Sequence, residues 1–236
     1  MATYLMADLH GDLIRFRKML KTIEYTSGAD TMIILGDVLD RGKDHLKLLN
    51  FIRKDASMEV LKGNHELFAQ MYLEGRLEAG LWKKWGGERT LSEIERLTEV
   101  KKAELLACLK GLKHYRILRT AYGDTLLTHA GFYLDACVER ADGSIDVLKS
   151  LQKGIEKDEF QCLISNDIHH VAAGVRRRFD RYIICGHVPT MGLNEDRSNR
   201  IFHATKYMCI DTGAGHREAG GVLSCYRVED EEEFYL

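Results

Sequence analysis

Five short apolar runs in this 236-residue sequence each end in a cluster of side chains able to hold a metal or a phosphate. After Thr3–Ala7 come Asp8 and His10. After Thr31–Leu35 come Gly36, Asp37, Asp40, Arg41 and Gly42. After Glu59–Leu61 come Gly63, Asn64, His65 and Glu66. After Thr125–Thr128 come His129, Ala130 and Gly131. After Tyr182–Cys185 come Gly186, His187, Val188 and Pro189. Carboxylate, amide carbonyl and imidazole are the donors that hard and borderline divalent cations prefer. No thiolate belongs to the set, which argues against a structural zinc site. Six donors exceed what one ion with open positions needs, but they suit two ions sharing a carboxylate, about 3.5–4 Å apart. Such a pair clamps a phosphoryl group and makes water nucleophilic near neutral pH. Any single piece is commonplace, since a histidine beside a strand is usually structural and Gly-Asp is a common turn. Their joint occurrence in this order is the signal.

Positioning such donors requires strands whose carboxyl ends meet at one edge, where open α/β sheets bind ligands. The five runs, together with Tyr207–Ile210 and Gly221–Arg227, have strand length, and several are almost wholly apolar, as buried strands are. Helical patterns alternate with the early ones. Leu13–Ile23 follows Asp12, a candidate N-cap, and carries Ile14, Phe16, Met19, Leu20 and Ile23 at helical spacing. His45–Arg53 and Glu66–Glu74 read similarly. The first third is therefore expected to be a β-α-β-α-β-α run with a parallel sheet. Leu77–Leu112 reads as a charged helical segment resembling an insert, with Leu91, Ile94, Leu97, Leu105, Leu106 and Leu109 on its apolar face. The last third is expected to return to strands and form a second sheet against the first.

Composition narrows the class. With 45% hydrophobic and 30% charged residues and a formal net charge of −2, the chain reads as one ordinary globular α/β domain over 1–236, without a basic stripe for nucleic acid. No run is long enough to span a bilayer, and no secretory leader is evident. Six scattered cysteines without a CxxC pair suggest reduced thiols and a cytoplasmic protein. The acidic run Glu229–Glu233 reads as a solvated tail. None of the cysteines has an arginine six residues on, so the loop of a cysteine-dependent phosphatase is missing.

Asp8-Leu9-His10-Gly11, Gly36-Asp37-Val38-Leu39-Asp40-Arg41-Gly42, Gly63-Asn64-His65-Glu66, His129-Ala130-Gly131 and Gly186-His187-Val188-Pro189 together resemble the phosphoprotein phosphatase family of metallophosphoesterases. Trp85-Gly86-Gly87 with Thr90-Leu91 resembles its bacterial and phage branch, and Asp211-Thr212-Gly213 with Gly220-Gly221 its closing strands. The resemblance implies a calcineurin-like sandwich of two mixed sheets flanked by helices, with the metals at the carboxyl ends of the strands. It implies that Asp8 and His10 bind one ion, that Asp37 bridges, and that Asn64, His129 and His187 bind the other. Manganese is the expected metal, with iron or zinc as alternatives. His65 would protonate the leaving oxygen, with Asp40 orienting it. Arg41 would grip two phosphate oxygens with its planar fork, and Asn64 and His65 would also face the phosphate. A hydroxide activated by both metals would attack in line, without a phosphoenzyme.

Two departures bear on this. Pro189 stands where nuclease-like relatives carry a second metal histidine, which favours the protein phosphatase branch. The family's further phosphate-binding arginine has only Arg176, Arg177 and Arg178 as candidates, and a solvated basic turn is an equal reading of them. His169-His170 and His203 could sit near the pocket but read as surface or loop histidines, and His114 precedes an expected strand without a partner motif. His216 and Arg217 sit in a glycine-rich loop that could approach substrate. Trp82 and Trp85 either pack the helical segment or line a groove for a peptide or a base. The expected partner is a phosphorylated protein or small phosphorylated molecule, with neither membrane nor nucleic acid. A serine/threonine protein phosphatase, extending to phosphotyrosine, leads. The alternative within the family is a symmetrical dinucleoside tetraphosphate hydrolase, against which Asp40 speaks. An intact donor set argues against a metal-binding scaffold that has lost catalysis. The sequence leaves the oligomeric state open.

Overall fold

The structure is a computed structural model that describes residues 1–236. Its elements in chain order are β1 Thr3–Met6, α1 Leu13–Thr22, β2 Thr31–Ile34, α2 His45–Arg53, β3 Met58–Val60, α3 Asn64–Leu73, α4 Ala79–Lys84, α5 Glu88–Glu95, α6 Glu99–Lys110, β4 Tyr115–Thr120, β5 Gly123–Thr128, α7 Val147–Leu163, α8 Asp167–His170, α9 Ala173–Arg176, β6 Tyr182–Cys185, β7 Phe202–Ala204, β8 Tyr207–Cys209, β9 Ser224–Arg227 and β10 Glu233–Tyr235. Two five-stranded mixed sheets result, ordered β10-β9-β1-β2-β3 and β4-β5-β6-β8-β7. Strands β1, β2 and β3 run parallel, as do β5, β6 and β8.

Strand periodicity explains the layering. Odd-numbered residues of β1 and β2 and their extensions, Leu5, Ala7, Ile33 and Leu35, face Leu127, Ile184, Met208 and Ile210 of the other sheet in one apolar layer. Even-numbered Met6, Met32 and Ile34 turn the opposite way and are covered by Phe16 and Met19 of α1, Leu48 and Ile52 of α2, and Trp82, Leu91, Ile94, Leu105 and Leu109 of α4–α6. Leu126, Ile183 and Cys185 form the outer face of the second sheet, under Val147, Leu151 and Cys162 of α7. The order is helices, sheet, sheet, helices. The buried Lys62, just after β3, donates to Gln70 of α3 and Glu159 of α7, tying helices from the two halves together.

The parallel β-α run and the helical middle are present as expected. Several expectations need correction. Within α1, Ile14 is exposed and Phe16 and Met19 carry the burial. Helix α3 starts at Asn64 rather than Glu66, so Asn64 and His65 belong to its first turn. The last third contains the 17-residue helix α7, whose pattern is interrupted by Gly154 and by a kink at Asp158. Strand β9 joins the first sheet, antiparallel to β1, instead of the second. The acidic segment is not a free tail. Glu229 accepts the Thr3 N–H, Arg227 pairs with Asp230 and Glu232, and Glu233–Tyr235 forms an edge strand on β9. No helix is long and apolar enough to cross a membrane. All six cysteines are unpaired.

Candidate metal centre

Past β1, β2 and β6 the backbone turns sharply, and the donors there sit in those turns, whereas Asn64 opens α3. Asp8 (φ 54°), His10 (φ 45°), Asp37 (φ 55°), Asp40 (φ 67°), Arg41 (φ 64°) and His187 (φ 74°) all adopt the left-handed conformation, which L residues rarely occupy. Gly63 allows a close approach of the backbone: a Cβ there would lie 2.2 Å from Asp37 Oδ1. The donors from β1, β2, β3, β5 and β6 are thereby brought to one place, though they come from both sheets.

Asp37 lies at the middle. Its Oδ2 is 3.9 Å from His10 Nε2, and its Oδ1 is 3.5 Å from His129 Nε2. Ligand atoms of Asp37, His129 and His187 lie within 4.8 Å of one another, as do those of His10, Asp37 and His65. Asp37 belongs to both sets. Asp8 joins them from β1. Its Oδ2 accepts the His187 N–H at 3.0 Å, while its Oδ1 is buried without a partner.

Hydrogen bonding fixes where the lone pairs point. His129 Nδ1 donates to Leu35 O at 2.8 Å, so Nε2 of the neutral ring carries a lone pair. That lone pair faces Asn64 Oδ1 at 2.8 Å. His10 Nδ1 likewise donates to Leu39 O at 2.9 Å, aiming its Nε2 at Asp37. Burial, and for His187 also His129, keeps these imidazoles neutral. His187 is pushed down to about 3, and His10 and His129 lie below their ordinary range. Burial followed by Asp211 and Asp37 pushes the Asp8 carboxyl far up, and burial pushes Asp211 up to about 6. Acceptors converging on acceptors, an orphaned carboxylate oxygen and like-charged buried carboxylates share one remedy, which is bound cations. The donor set thus fits divalent metal ions.

Beside these donors stands a second group. His65 Nδ1 donates to Asp40 Oδ2 at 2.7 Å, and the same oxygen accepts Trp82 Nε1–H at 2.6 Å. Burial pulls the His65 imidazole down, but Asp37 and the Asp40 hydrogen bond outweigh it, and the net shift is upward. Arg41 donates through Nη2 to His65 Nε2 at 3.4 Å and through Nη1 to His216 Nε2 at 2.8 Å. The Asp40 N–H donates to Thr90 Oγ1 and the Arg41 N–H to Gly86 O, so the helical segment 77–112 holds both residues from behind.

Sequence reasoning missed Glu66 as a positioning group. Fully buried, its carboxylate accepts the N–H groups of Asp37, Val38, Leu39 and Gly63, and so shapes the turn that carries Asp37. Its place at the third position of α3, after a glycine cap, was the available signal. Trp82 is also more than packing. The arginines of 176–178 are not brought to the site. Arg176 donates to Ile168 O and Val171 O and lies over Tyr207, Arg178 donates to Gly143 O and pairs with Glu139, and Arg177 is exposed. None of the three lines either cavity that borders Arg41. His114 pairs with Glu159 and His203 with Glu233, while His169 meets Tyr207 Oη.

A family model described as calcineurin-like phosphoesterase matches residues 1–203. The chain belongs to that family. Among curated relatives it is 30% identical over 162 residues to a symmetrical bis(5′-nucleosyl)-tetraphosphatase of Nitrosospira multiformis, covering 68% of this chain and 54% of the relative. The matched part thus spans about half of that protein. A protein of the same description from Chromobacterium violaceum is 24% identical, with 100% of this chain and 95% of the relative covered. Solved structures share the fold. A protein serine/threonine phosphatase from Saccharomyces cerevisiae aligns with TM-score 0.61 and 15% identity, covering 100% of this chain and 78% of that one. A cold-active protein tyrosine phosphatase aligns with TM-score 0.55 and 16% identity, covering 100% and 78%.

Proposed function

We propose that the protein is a metal-dependent phosphoric ester hydrolase. The observation that carries this reading is the convergence of the His129, Asn64, Asp37 and His10 acceptors, beside the pair His65–Asp40 and the fork of Arg41. Asp8, His10 and Asp37 would hold one ion, and Asp37, Asn64, His129 and His187 the other, with manganese as the first choice and iron or zinc next. When bound, such ions supply positive charge for phosphoryl oxygens and lower the pKa of water. Arg41 grips the phosphate through two N–H groups. His65, oriented by Asp40, whose Oδ2 also accepts from Trp82, would carry a proton on Nε2 once Arg41 turns to the phosphate, and give it to the leaving oxygen. The low exposure of His10, His65 and His129 keeps bulk water from competing for these hydrogen bonds.

For substrate, the leading reading is a phosphomonoester on a protein, serine or threonine first, in a reducing cytoplasm that would suit six unpaired thiols. Asp40 supports it by analogy with the protein phosphatases. The second reading, a dinucleoside tetraphosphate, is favoured by the names of the curated relatives. Phosphate release after manganese loading, from a phosphoserine peptide and from diadenosine tetraphosphate in parallel, separates the two, with Asp37→Asn as the control. Faster peptide turnover with an inert variant upholds the first reading. Turnover of the dinucleotide alone transfers the chemistry to the second. No release with manganese, iron or zinc defeats the hydrolase reading.

A further inference from the structure

Arg41 borders two cavities. One touches Asn64 and His65. The other, of about 640 Å³, has His10 and Gly11 in its wall and extends past Lys43, Arg89 and Ile14. The chemistry assigned above uses only His10 and Arg41 of this second cavity. Its charges do not cancel. Asp12 pairs with Arg15 and Arg217, and Asp44 pairs with Lys47, so Glu218 is the one acidic group in the lining free of an ion pair. Arg41, Lys43 and Arg89 line the same space, and none of them pairs with a carboxylate. The cavity is therefore positive in a chain whose net charge is −2. The loop carrying Arg41 and Lys43 is fixed to the metal centre. The Lys43 and Asp44 N–H groups donate to Gly11 O at 3.4 and 3.0 Å, and Gly42 packs so closely that a Cβ there would meet His10 O. Arg89, in the first turn of α5, donates Nη1 to Gly42 O at 3.3 Å, which leaves the rest of its fork free. The lining holds no phenylalanine, tyrosine or tryptophan. Its apolar part comes from Ile14, Ala214 and Ala219, and Ile14 is 75% exposed. Free cations beside an aliphatic side chain, with no large ring to stack on, suit a polypeptide better than a nucleotide.

We infer that this cavity is a second anion subsite, which takes the carboxylate of an aspartate or glutamate flanking the phosphorylated residue of a protein substrate, a role that rests on the hydrolase reading with a phosphoprotein as substrate. When Arg41 holds the phosphate, an extended substrate advances about 3.3–3.6 Å per residue. A carboxylate one or two positions along then meets Lys43, two residues beyond Arg41 in this chain, and Arg89, held against Gly42. Arg89 offers a planar fork and Lys43 a mobile point charge. Both side chains are exposed, so the gain is that of surface ion pairs, a few-fold in size and screened by salt. No bond changes at this subsite. It governs which phosphorylated segment is chosen, as complementary charge at an interface does.

The test measures kcat/KM on the manganese-loaded protein for two phosphoserine peptides that differ only in their flanking residues, aspartate in one and alanine in the other. The ratio is expected to favour the aspartate peptide about five-fold, to shrink as salt is added, and to approach unity in the double variant Lys43→Gln with Arg89→Gln. Lys101→Gln removes the same kind of charge from the exposed face of α6, outside the cavity, and should keep the parent's ratio. Calorimetry repeats the comparison as binding, with the same peptides carrying a non-hydrolysable phosphonate in place of the phosphate. If neither ester turns over, but the phosphonates show the preference and the double variant loses it, the hydrolase reading falls and the subsite stands. If the esters turn over without a preference in the parent, or with one that the double variant keeps, the subsite is wrong and the hydrolase reading is untouched. A loss in the double variant confined to diadenosine tetraphosphate would also overturn the inference, because the occupant would then be a phosphoryl chain.

Discussion

Replacing Glu66 by glutamine changes one atom, yet it is expected to cost more than almost any other isosteric change in the chain. Oε2 accepts the N–H of Asp37 at 2.8 Å and of Gly63 at 3.0 Å, while Oε1 accepts those of Val38 at 2.9 Å and Leu39 at 3.1 Å. Glutamine keeps one of these oxygens and puts an NH2 group in place of the other. Two buried N–H donors then face a donor. Each orphaned group costs about 1–3 kcal/mol, so the change should remove about 2–6 kcal/mol from a total that is about 5–15 kcal/mol for a typical protein. Burial and then Asp37 push the Glu66 carboxyl up to about 7, so the comparison belongs above that pH, where the carboxylate is ionised. The sign is consistent. A raised carboxyl favours the fold below its ordinary value of 4.5, and that contribution fades as pH climbs through about 7. Equilibrium urea unfolding is the assay, with Glu93→Gln as comparator, because Glu93 accepts a single N–H, from Leu46 at 3.0 Å. If Glu66→Gln loses no more stability than Glu93→Gln, the assignment of Glu66 as the brace of the Asp37 turn is wrong.

Three further outcomes are expected. Asp40→Asn keeps an oxygen for His65 and Trp82 but removes the charge, so activity should fall about 10–100-fold with the fold intact, and NMR titration of the metal-free protein should place His65 lower than in the parent; an unmoved imidazole would refute the role. Glu159 is held down to about 2, first by the His114 hydrogen bond and then by Lys62. Its contribution to stability is full above 4.5 and disappears as pH falls from there to about 2; Glu159→Gln should flatten acid unfolding in that window by about 1–2 kcal/mol after discounting for solvent, and an unchanged acid limb would count against it. His216→Ala frees one arm of Arg41 and should weaken inhibition by inorganic phosphate several-fold, a result that steady-state inhibition assays check directly.

Much of the site was legible because its residues sit at fixed offsets from strand ends. The parallel β-α alternation announces where the carboxyl edge lies, and Asp8, His10, Asp37, Asn64, His129 and His187 occur just past each apolar run. What escaped depends on contacts between distant residues. Nothing local in Ser224–Arg227 says that β9 pairs with β1, and the acidic segment after it looks solvated until Glu229 is seen on the Thr3 N–H. Helix α7 does carry Val147, Leu148, Leu151 and Ile155 at helical spacing, but Gly154 and the kink at Asp158 break the pattern. Glu66 read as an ordinary acidic residue in a first turn, since its four donors include three from a loop some 27–29 residues earlier. The helical segment 77–112 looked like an insertion, yet Thr90, Gly86 and Trp82 hold Asp40 and Arg41 in place.

The left-handed backbone of the site sets two kinds of selection against each other. A side chain with a Cβ in that conformation costs about 1–2 kcal/mol, and Asp8, His10, Asp37, Asp40, Arg41 and His187 all bear it. Glycine would relieve the strain at any of the six, for an entropic cost of only about 0.5–1 kcal/mol. Breeding this protein for heat resistance alone should therefore enrich glycine where the chemistry resides, yielding sturdier and inert descendants. Only continued demand for turnover keeps aspartate, histidine and arginine in those turns.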